Sequence, residues 1–402
     1  MKNITRKALA ALSSRFAEID DIALENQRKV LDAFIEHRIA LRHFAPTTGY
    51  AYDDVGRDTL CKLFATVFAT EDAIVSPLIA SGTHALSIAM FGLLRPGDML
   101  LCATGKPYDT LNDVIFGSGI GSLKDFGVKC EIVPLKGGKP DLEAITAKLR
   151  TCKPAVVMIQ RSRGYDMRPA LSVNDIERIC ALVDRKQSQI LLDNCYGEFT
   201  EKTEPSCVDA LVGSLIKNPG GGIAPTGGYV CGTKKAIAKI EGRLTAPSIG
   251  REVGSYAADY RPFYQGLFNA PHVTAQAVKT ALLFSYVFES LGYETLPRYT
   301  DAMDDIICSI KFNDEQKLIN FCRTVQSASP VDSFAAPEPW DMPGYDDKII
   351  MAAGAFVQGA SIELSCDAPI RPPYIAYLQG GITFEHGMIA LERCLSALGI
   401  ND

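Results

Sequence analysis

The residues best placed to do chemistry are a lysine and an aspartate that each follow a short apolar run. Lys217 comes three residues after Ser214 and enters a loop of Asn, Pro and Gly, and Asp193 ends an apolar run further upstream. A lysine between apolar residues and a glycine loop can lose its proton more easily than a solvated lysine, and a neutral amine can condense with an aldehyde. An aspartate on a neighbouring strand end suits a pyridinium nitrogen. The pair therefore predicts pyridoxal 5'-phosphate (PLP), held on Lys217 as a Schiff base, although such a lysine alone is as often a surface residue.

A phosphate-binding turn and an aromatic residue are predicted nearby. Ser81, Gly82 and Thr83 lie where an apolar run ends and a helical run begins. Free backbone N–H groups at a helix start bind phosphate, although the same residues are equally typical of a plain helix cap. Tyr108 follows the next strand-like run, 26 residues after Gly82, so we expect it at the same sheet edge. It could stack on a planar ring or be an ordinary loop tyrosine.

The elements that must position these residues alternate along the chain. This alternation of short apolar runs with helical runs predicts an α/β fold with a mostly parallel sheet covered by helices. The expected domains are an N-terminal helical arm (1–45), a large α/β domain (46–270) and a smaller C-terminal α+β domain (271–402). The arm is expected to split into two helices at about residues 20–21, and a long helix, about 273–291, is expected after Pro271. The strand-like runs are 99–103, 130–134, 155–160, 189–193, 209–212 and 228–231, and the helical runs include 83–94, 141–149 and 173–185.

Composition excludes several classes of protein. The 402 residues carry a net charge of −6, which is not the basic footprint of a nucleic-acid-binding protein. No apolar run approaches the roughly 20 residues of a membrane helix, and no export signal is evident, so we expect a cytoplasmic protein that binds neither nucleic acid nor membranes. The 12 cysteines form no C-x-x-C pair and are expected to be reduced and buried. The five histidines show no metal-binding spacing, so no metal is predicted.

The order Ser-Gly-Thr, Tyr, Asp and Ser-x-x-Lys resembles that of PLP-dependent enzymes of fold type I, the transferase-like PLP fold. The Ser214-x-x-Lys217 spacing is similar to that of the cystathionine and methionine γ-lyase group. The sequence is more similar still to the bacterial methionine γ-lyase-like family known as "aluminium resistance" proteins. The similarity extends from about residue 40 to the end and includes residues 49–57, 79–84, 105–110, 159–165, 216–228 and 371–374.

The resemblance implies a role for each residue named above. Lys217 would carry the cofactor and move protons, Asp193 would keep the ring nitrogen protonated, and Tyr108 would stack on the ring. The phosphate would be bound by the backbone of residues 81–83 and by the hydroxyl of Ser214. In the sulfur-lyase relatives, a tyrosine and an arginine of the neighbouring subunit complete the phosphate site, and the matching stretch here holds Tyr50, Tyr52 and Arg57.

The carboxylate of an amino-acid substrate needs a partner that can bind both of its oxygens, and arginine is the suitable side chain. Arg371, which precedes two prolines in the C-terminal domain, is the preferred candidate, and Arg161, Arg163 and Arg168 are alternatives. The glycine-rich run 117–122 resembles a dinucleotide-binding motif but has Ser122 in the sixth position and follows a helical run, so a dinucleotide fold is not expected.

These expectations together predict a PLP-dependent carbon–sulfur lyase that acts on a sulfur-containing amino acid, releasing a keto acid, ammonia and a thiol. The alternatives are another PLP-dependent reaction on the same scaffold, such as transamination or aldol cleavage, and a non-catalytic role in which bound PLP serves regulation. The resemblance also implies a homo-oligomer, a dimer or a tetramer, whose active sites are shared between subunits.

Overall fold

The computed structural model describes residues 1–400. Its larger sheet has seven strands in the order β1-β7-β6-β5-β4-β2-β3. The five strands from β6 to β3 are parallel, whereas β7 runs antiparallel to both β6 and β1. The mostly parallel sheet predicted from the sequence is confirmed, with β1 as a strand that was not predicted. The strands are β1 (Asp72–Ser76), β2 (Met99–Cys102), β3 (Lys129–Ile132), β4 (Val156–Gln160), β5 (Gln189–Asp193), β6 (Ala210–Ser214) and β7 (Gly228–Gly232).

Helices cover this sheet and connect it to the rest of the chain. Seven of the helices start with a side-chain cap that satisfies a free backbone N–H; Asp54, for example, accepts from the amides of Gly56 and Arg57. The helices are α1 (Asn3–Ala11), α2 (Ser13–Glu36), α3 (Val55–Val67), α4 (Gly82–Leu93), α5 (Asp109–Phe116), α6 (Leu142–Cys152), α7 (Val173–Cys180), α8 (Lys234–Ile240), α9 (Arg261–Ser290), α10 (Glu315–Ser327) and α11 (Phe384–Ala397).

A second, antiparallel sheet of five strands lies in the C-terminal part of the chain. Its order is β10-β11-β12-β9-β8, and α10 packs on β10, β11 and β12. This arrangement is the smaller α+β unit that the sequence predicted. The strands are β8 (Glu294–Leu296), β9 (Ile307–Lys311), β10 (Ile349–Ala352), β11 (Ser365–Pro369) and β12 (Ile375–Gln379).

Helix α9 joins the two units. The sequence suggested that this helix starts after Pro271, but it starts ten residues earlier and Pro271 lies buried inside it. The residues of α9 up to Ala270 pack in the core of the large sheet, and those from Val273 onward pack in the core of the small unit. The predicted boundary between residues 270 and 271 therefore falls within a continuous helix, at the point where its packing partners change.

The N-terminal helices pack along the same long helix. A break near residues 20–21 was expected, but the two helices separate at Leu12 and α2 then runs without interruption to Glu36. Ala8 and Leu12 lie in the small-unit core, whereas Val30 and Ala33 lie in the large-unit core. Among residues 1–400, no helix combines the length and apolarity that crossing a membrane requires.

Candidate active site

The carboxyl ends of three parallel strands meet at one edge of the large sheet. In the register of the sheet, Gln160 at the end of β4 pairs with Asp193 at the end of β5, and Asp193 pairs with Val212 on β6. Strand β6 ends at Ser214, and the chain then turns to Lys217. In a sheet of this kind, ligands bind outside the carboxyl ends of the strands. Asp193, Ser214 and Lys217 are therefore brought together as the sequence predicted.

The loop after Lys217 is held by close contact between two glycines. A Cβ on Gly266 of α9 would lie 2.3 Å from the carbonyl oxygen of Gly220, and a Cβ on Gly221 would lie 2.4 Å from the carbonyl oxygen of Gly266. Since no side chain fits between these backbones, the glycines let α9 press directly on the loop. The side chain of Asn218 adds a hydrogen bond of 2.9 Å to the carbonyl of Glu198. The backbone at Lys217 is thereby fixed from both sides.

Asp193 is buried, and a hydrogen-bond network centred on Arg161 supports the end of the strand that carries it. Its Oδ1 accepts a hydrogen bond of 3.2 Å from the amide of Cys195, and burial raises the pKa of Asp193 while the charge of Lys217 lowers it. The guanidinium of Arg161 donates to Asn194 over 2.9 Å and to Glu201 over 2.8 Å. Because Arg161 is fully buried and satisfied by these groups, it positions the end of β5 and is not a partner for a substrate carboxylate.

The charge state of Lys217 differs from the sequence-based expectation. Its Nζ lies 3.8 Å from the centroid of the Tyr196 ring, a cation–π distance. Burial lowers the pKa of Lys217, but Cys195, Tyr196 and Asp193 together raise it by more, so the net pKa is higher than that of an ordinary lysine. The expectation that this lysine loses its proton readily is therefore opposed by the acidic and aromatic groups around the amine, which the sequence did not show.

The predicted phosphate turn lies beside the end of β6. Ser81 is the N-cap of α4, and its Oγ accepts the amide of His84 over 3.0 Å. The first amides of a helix have no partner within the helix, so the amides of Gly82 and Thr83 are available to an anion. A Cβ on Gly82 would lie only 3.4 Å from the Cβ of Ser214. The turn and Ser214 thus form one small cradle of the kind that a phosphate group fits.

Tyr108 stands at the same edge, directly before α5. Its amide donates to the side-chain oxygen of Gln160 over 2.7 Å, which fixes its position relative to the end of β4. Its hydroxyl lies 2.5 Å from that of Tyr345, and its ring centroid is 5.9 Å from that of Tyr165. Burial raises the pKa of Tyr108 well above its ordinary value, with Tyr345 adding to the shift. The phenol is therefore neutral at physiological pH, and its ring lines a cavity beside Arg371.

Arg371 faces a cavity of about 250 Å³ that Tyr108 and Tyr165 also line. Its Nη1 donates to Asp347 over 2.7 Å, and the side chain is 45% exposed. The two alternatives near the end of β4 are held by internal contacts, although Arg163 also lines this cavity. Arg163 makes a buried ion pair with Asp305 at 3.0 Å, and Arg168 donates to backbone carbonyls, among them those of Gln160 and Ser162. Arg371 is thus the one of these arginines that combines exposure with a place in the cavity.

Tyr50, Tyr52 and Arg57 are the residues predicted to complete the phosphate site of a neighbouring subunit. Their hydrogen bonds and ring contacts within the described chain do not involve Lys217, Asp193 or Ser214. Tyr50 and Tyr52 are 71% and 65% exposed, and their ring centroids are 5.6 Å apart. Arg57 is buried at the start of α3, where its Nε donates to Asp58 over 2.9 Å. Its Nη1 donates to the carbonyls of residues 51 and 254, and its Nη2 makes no hydrogen bond within the part of the chain that the structure describes.

Sequence reasoning missed several residues that line the site. Tyr196 lies under the amine of Lys217, and its hydroxyl is 3.1 Å from the Oγ of Ser361. Asp367 of β11 carries a buried carboxylate whose pKa is affected by the charge of Lys217. Two signals were present: Tyr196 follows the strand-end Asp193 by three residues, and polar residues alternate along β11. Tyr345 gave no such signal, because it lies in a loop of the small unit.

The fold and this cluster define a PLP-dependent enzyme of fold type I. A structure of the PLP-dependent protein YhfS of Escherichia coli shares the fold, with a TM-score of 0.61 at 15% identity over 94% of this chain and 97% of that one. The profile of the methionine gamma-lyase family matches residues 1–399. The chain therefore belongs to the methionine gamma-lyase family, whose members are PLP-dependent carbon–sulfur lyases.

Closer relatives cover the whole chain. YnbB of Bacillus subtilis is 46% identical over 99% of this chain and 96% of its own length. A Listeria monocytogenes structure, provisionally named a cystathionine beta-lyase involved in aluminum resistance, is 45% identical, with a TM-score of 0.95 over 99% of this chain and all of that one. A Clostridium novyi structure named a carbon-sulfur lyase involved in aluminum resistance is 50% identical, with a TM-score of 0.94 over 98% and 95% of the two chains.

The residues present fit PLP. An amine with a buried carboxylate at the end of the adjacent strand matches an aldehyde and a ring nitrogen. The cradle formed by Gly82 and Ser214 offers unpaired amides and a hydroxyl to a phosphate, and bulkier side chains at Gly82 would fill it. Lys217, Asp193 and the residues 81–83 are thus the groups that would hold the cofactor.

Proposed function

We propose that the protein cleaves the carbon–sulfur bond of a sulfur-containing amino acid by elimination, giving a keto acid, ammonia and a thiol. The observation that carries this proposal is the position of Lys217 beside the end of β5. Its amine lies over the Tyr196 ring, and its charge acts on the buried carboxylate of Asp193. When bound, PLP accepts the negative charge that develops at the substrate α-carbon as its proton leaves.

Each side chain has a distinct task in the proposed reaction. Lys217 would take the α-proton at Nζ and return a proton to the departing sulfur, acting as both base and acid. Asp193 favours a protonated ring nitrogen, because a buried carboxylate stabilises a neighbouring positive charge. Tyr108 forms an aromatic wall and limits the access of water. The thiol leaves with one proton, and water then converts the remaining imine to a keto acid and ammonia.

Arg371 would bind the α-carboxylate of the substrate. The guanidinium borders the cavity beside Tyr108, and its planar donors match two carboxylate oxygens. In the protein alone this group already contacts Asp347, an exposed ion pair of the kind that contributes little stability. A substrate carboxylate can therefore replace Asp347 at a small free-energy cost.

We also propose that two subunits share each active site. The exposed rings of Tyr50 and Tyr52 and the unpaired Nη2 of Arg57 would serve the phosphate of a neighbouring subunit. Other large apolar side chains exposed in the same region, Val55 at 43% and Leu78 at 48%, would be covered by that contact. Closed two-fold symmetry is the commonest way to exchange such a segment reciprocally.

The direct test is keto-acid release by the purified holoenzyme from cystathionine, cysteine and methionine. Pyruvate would indicate elimination at the β-carbon, and 2-ketobutyrate from methionine would indicate elimination at the γ-carbon. Lys217→Ala is the matched control, because it removes the proton-transferring amine and should abolish release. Turnover that requires an added keto acid would instead identify a transaminase, and no keto acid from any of the three substrates would contradict the proposal.

A further inference from the structure

One face of the small sheet carries several polar side chains, which share it with Ile307 and Ile375. The register of β9, β11 and β12 pairs Ser309 with Tyr377, Tyr377 with Asp367, and Gln379 with Ser365, and partners in such pairs lie on the same face. The residues between them belong to the core of the small unit, namely Cys308, Ile310, Cys366, Ala368, Ala376 and Leu378. The polar residues therefore share the face opposite to this core.

The polar side chains of this face lie toward the tyrosines that line the cavity bordered by Arg371. The ring of Tyr377 packs 5.2 Å from that of Tyr165, and the ring of Tyr165 is in turn 5.9 Å from that of Tyr108. Burial raises the pKa of Asp367 to about 6, whereas the hydrogen bond from Gln379 and the charge of Lys217 act to lower it. Asp367 thus lies on the side of the small sheet that closes over the reactive amine.

Several polar atoms of this region have no partner. Asp367 is 9% exposed, and the only hydrogen bond to its carboxylate within the described residues comes from Gln379 Nε2 to Oδ2, over 2.9 Å. No Lys, Arg or His nitrogen among residues 1–400 lies within 4.0 Å of this carboxylate. The hydroxyls of Ser309 and Ser365 are likewise buried without a partner among residues 1–400, and the Tyr165 hydroxyl makes no hydrogen bond there although it lies near enough to Asp367 to lower the pKa of that carboxyl. A buried carboxylate left in this state costs free energy until a cation or further donors reach it.

We propose that Asp367 is a specificity-determining residue that binds a second ammonium group, at the far end of the substrate from the reacting amino acid. The preferred substrates would be thioethers that carry an amino acid at both ends, such as cystathionine. This inference rests on the proposed function, because it concerns the substrate of the same site. Arg371 would hold the near carboxylate while Asp367 and the unpaired hydroxyls would receive the distal ammonium.

The polar groups of this face are acceptors, and an ammonium is the kind of group that they can bind. It supplies three donors and a positive charge, which match the free oxygen of Asp367 and the hydroxyls of Ser365 and Tyr165. A methyl or ethyl thioether would leave the carboxylate buried and unpaired, and sites built to bind a polar group reject analogues that lack it. The geometry therefore selects against methionine and simple S-alkylcysteines relative to a substrate with two amino groups.

The test compares cystathionine with S-ethylcysteine, a thioether without the second amino group. Binding is measured by calorimetry in PLP-loaded Lys217→Ala protein, with and without Asp367→Asn, because this background removes turnover. Asp367→Asn should weaken cystathionine binding on the order of ten- to a hundredfold, as expected for loss of a charged hydrogen bond, and S-ethylcysteine binding less than threefold. Asp346→Asn, a change of an exposed carboxylate on a nearby loop, is the matched control and should alter neither.

The outcomes separate this inference from the proposed function. Equal weakening of both ligands, or no weakening of cystathionine, would overturn the role of Asp367 whatever the enzyme catalyses. Keto-acid release from S-ethylcysteine by the otherwise unchanged holoenzyme tests the proposed function without involving Asp367. If Asp367→Asn does not fold, as judged by its melting temperature, Asp367→Glu provides the second variant. It retains the charge and should preserve the preference for cystathionine, and loss of that preference would also contradict the proposal.

Discussion

Arg371 and Asp347 form an ion pair that competes with the substrate proposed for this site. Nη1 of Arg371 donates to Oδ2 of Asp347 over 2.7 Å, and both side chains are at least one-third exposed. The partner Asp347 belongs to the same loop as Tyr345, whose hydroxyl meets that of Tyr108. One loop of the small unit therefore contacts both a wall of the cavity and the arginine at its border.

Removing the competing carboxylate should improve substrate binding. Asp347→Asn leaves Arg371 without its ion pair, and exposed pairs of this kind are worth about 0.2–1 kcal/mol. We therefore expect the KM for the amino-acid substrate to fall by up to about fivefold, with little change in kcat. Steady-state kinetics against Asp346→Asn as control would show this. An unchanged or higher KM would argue that Arg371 does not bind the substrate carboxylate.

Two aspartates of the large sheet, Asp193 and Asp209, should respond differently to mutation. Asp193→Ala should weaken PLP binding and remove activity, because the ring nitrogen loses its anionic partner. Asp209→Ala should matter less, since Asp209 begins the next strand and pairs with Arg185 at 2.7 Å. PLP dissociation constants and melting temperatures of both variants would separate the effects. Equal losses at both positions would indicate general destabilisation.

The preference for a second ammonium should depend on pH. The pKa of Asp367 is raised to about 6, so its carboxylate is charged at pH 8 and becomes protonated as the pH falls through 6. The groups that face it are Lys217 and the tyrosines 108, 165, 196 and 345, whose pKa values are all raised, so they keep their charge state across this range.

The ratio of kcat/KM for cystathionine to that for S-ethylcysteine should therefore fall as the pH is lowered from 8 to 5. Taking the ratio cancels titrations that affect both substrates equally, including that of Asp193. The same ratio should be flat in Asp367→Asn. A pH-dependent ratio that survives in this variant would assign the titration to another group.

Subunit sharing can be tested by mixing two variants, one impaired in PLP binding and one without turnover. Arg57→Ala should raise the PLP dissociation constant, and Lys217→Ala should abolish turnover. Hybrids of the two should regain activity, because one interface site then receives an intact Arg57 from one subunit and an intact Lys217 from the other. Absence of recovery in confirmed hybrids, or a fully active monomer in sedimentation, would count against the shared site.

The sequence predicted the elements of the large sheet well, because its strands are buried apolar runs separated by helical ones. Strand β5 has the bounds that were predicted, and the residues of the phosphate turn lie at the start of α4 as expected. Strand β1 was missed, since it is a short run that pairs antiparallel with a strand distant in sequence. The start of α9 was missed because Pro271 suggests a helix start, whereas burial against both cores sustains the helix around it.

The sequence predicted the site residues that follow strands of the large sheet, but not those that other segments bring to the site. Lys217, Asp193 and Tyr108 follow strands, so their common edge could be inferred from the order of elements. Asp367 comes from the small unit, and its position depends on how that sheet packs against the loop of Tyr165. The charge of Lys217 depends on Tyr196 and Cys195, whose proximity to the amine is a property of the folded chain.

Covalent attachment of PLP at Lys217 can be examined by borohydride reduction of the holoprotein followed by peptide mapping. Reduction of the holoprotein should fix a pyridoxyl group on the peptide that contains Lys217 and abolish the visible absorption of the cofactor. Lys217→Ala should yield no labelled peptide while keeping part of its PLP through the residues of the phosphate cradle and Asp193. A label on another lysine, or none in protein that contains PLP, would contradict the account.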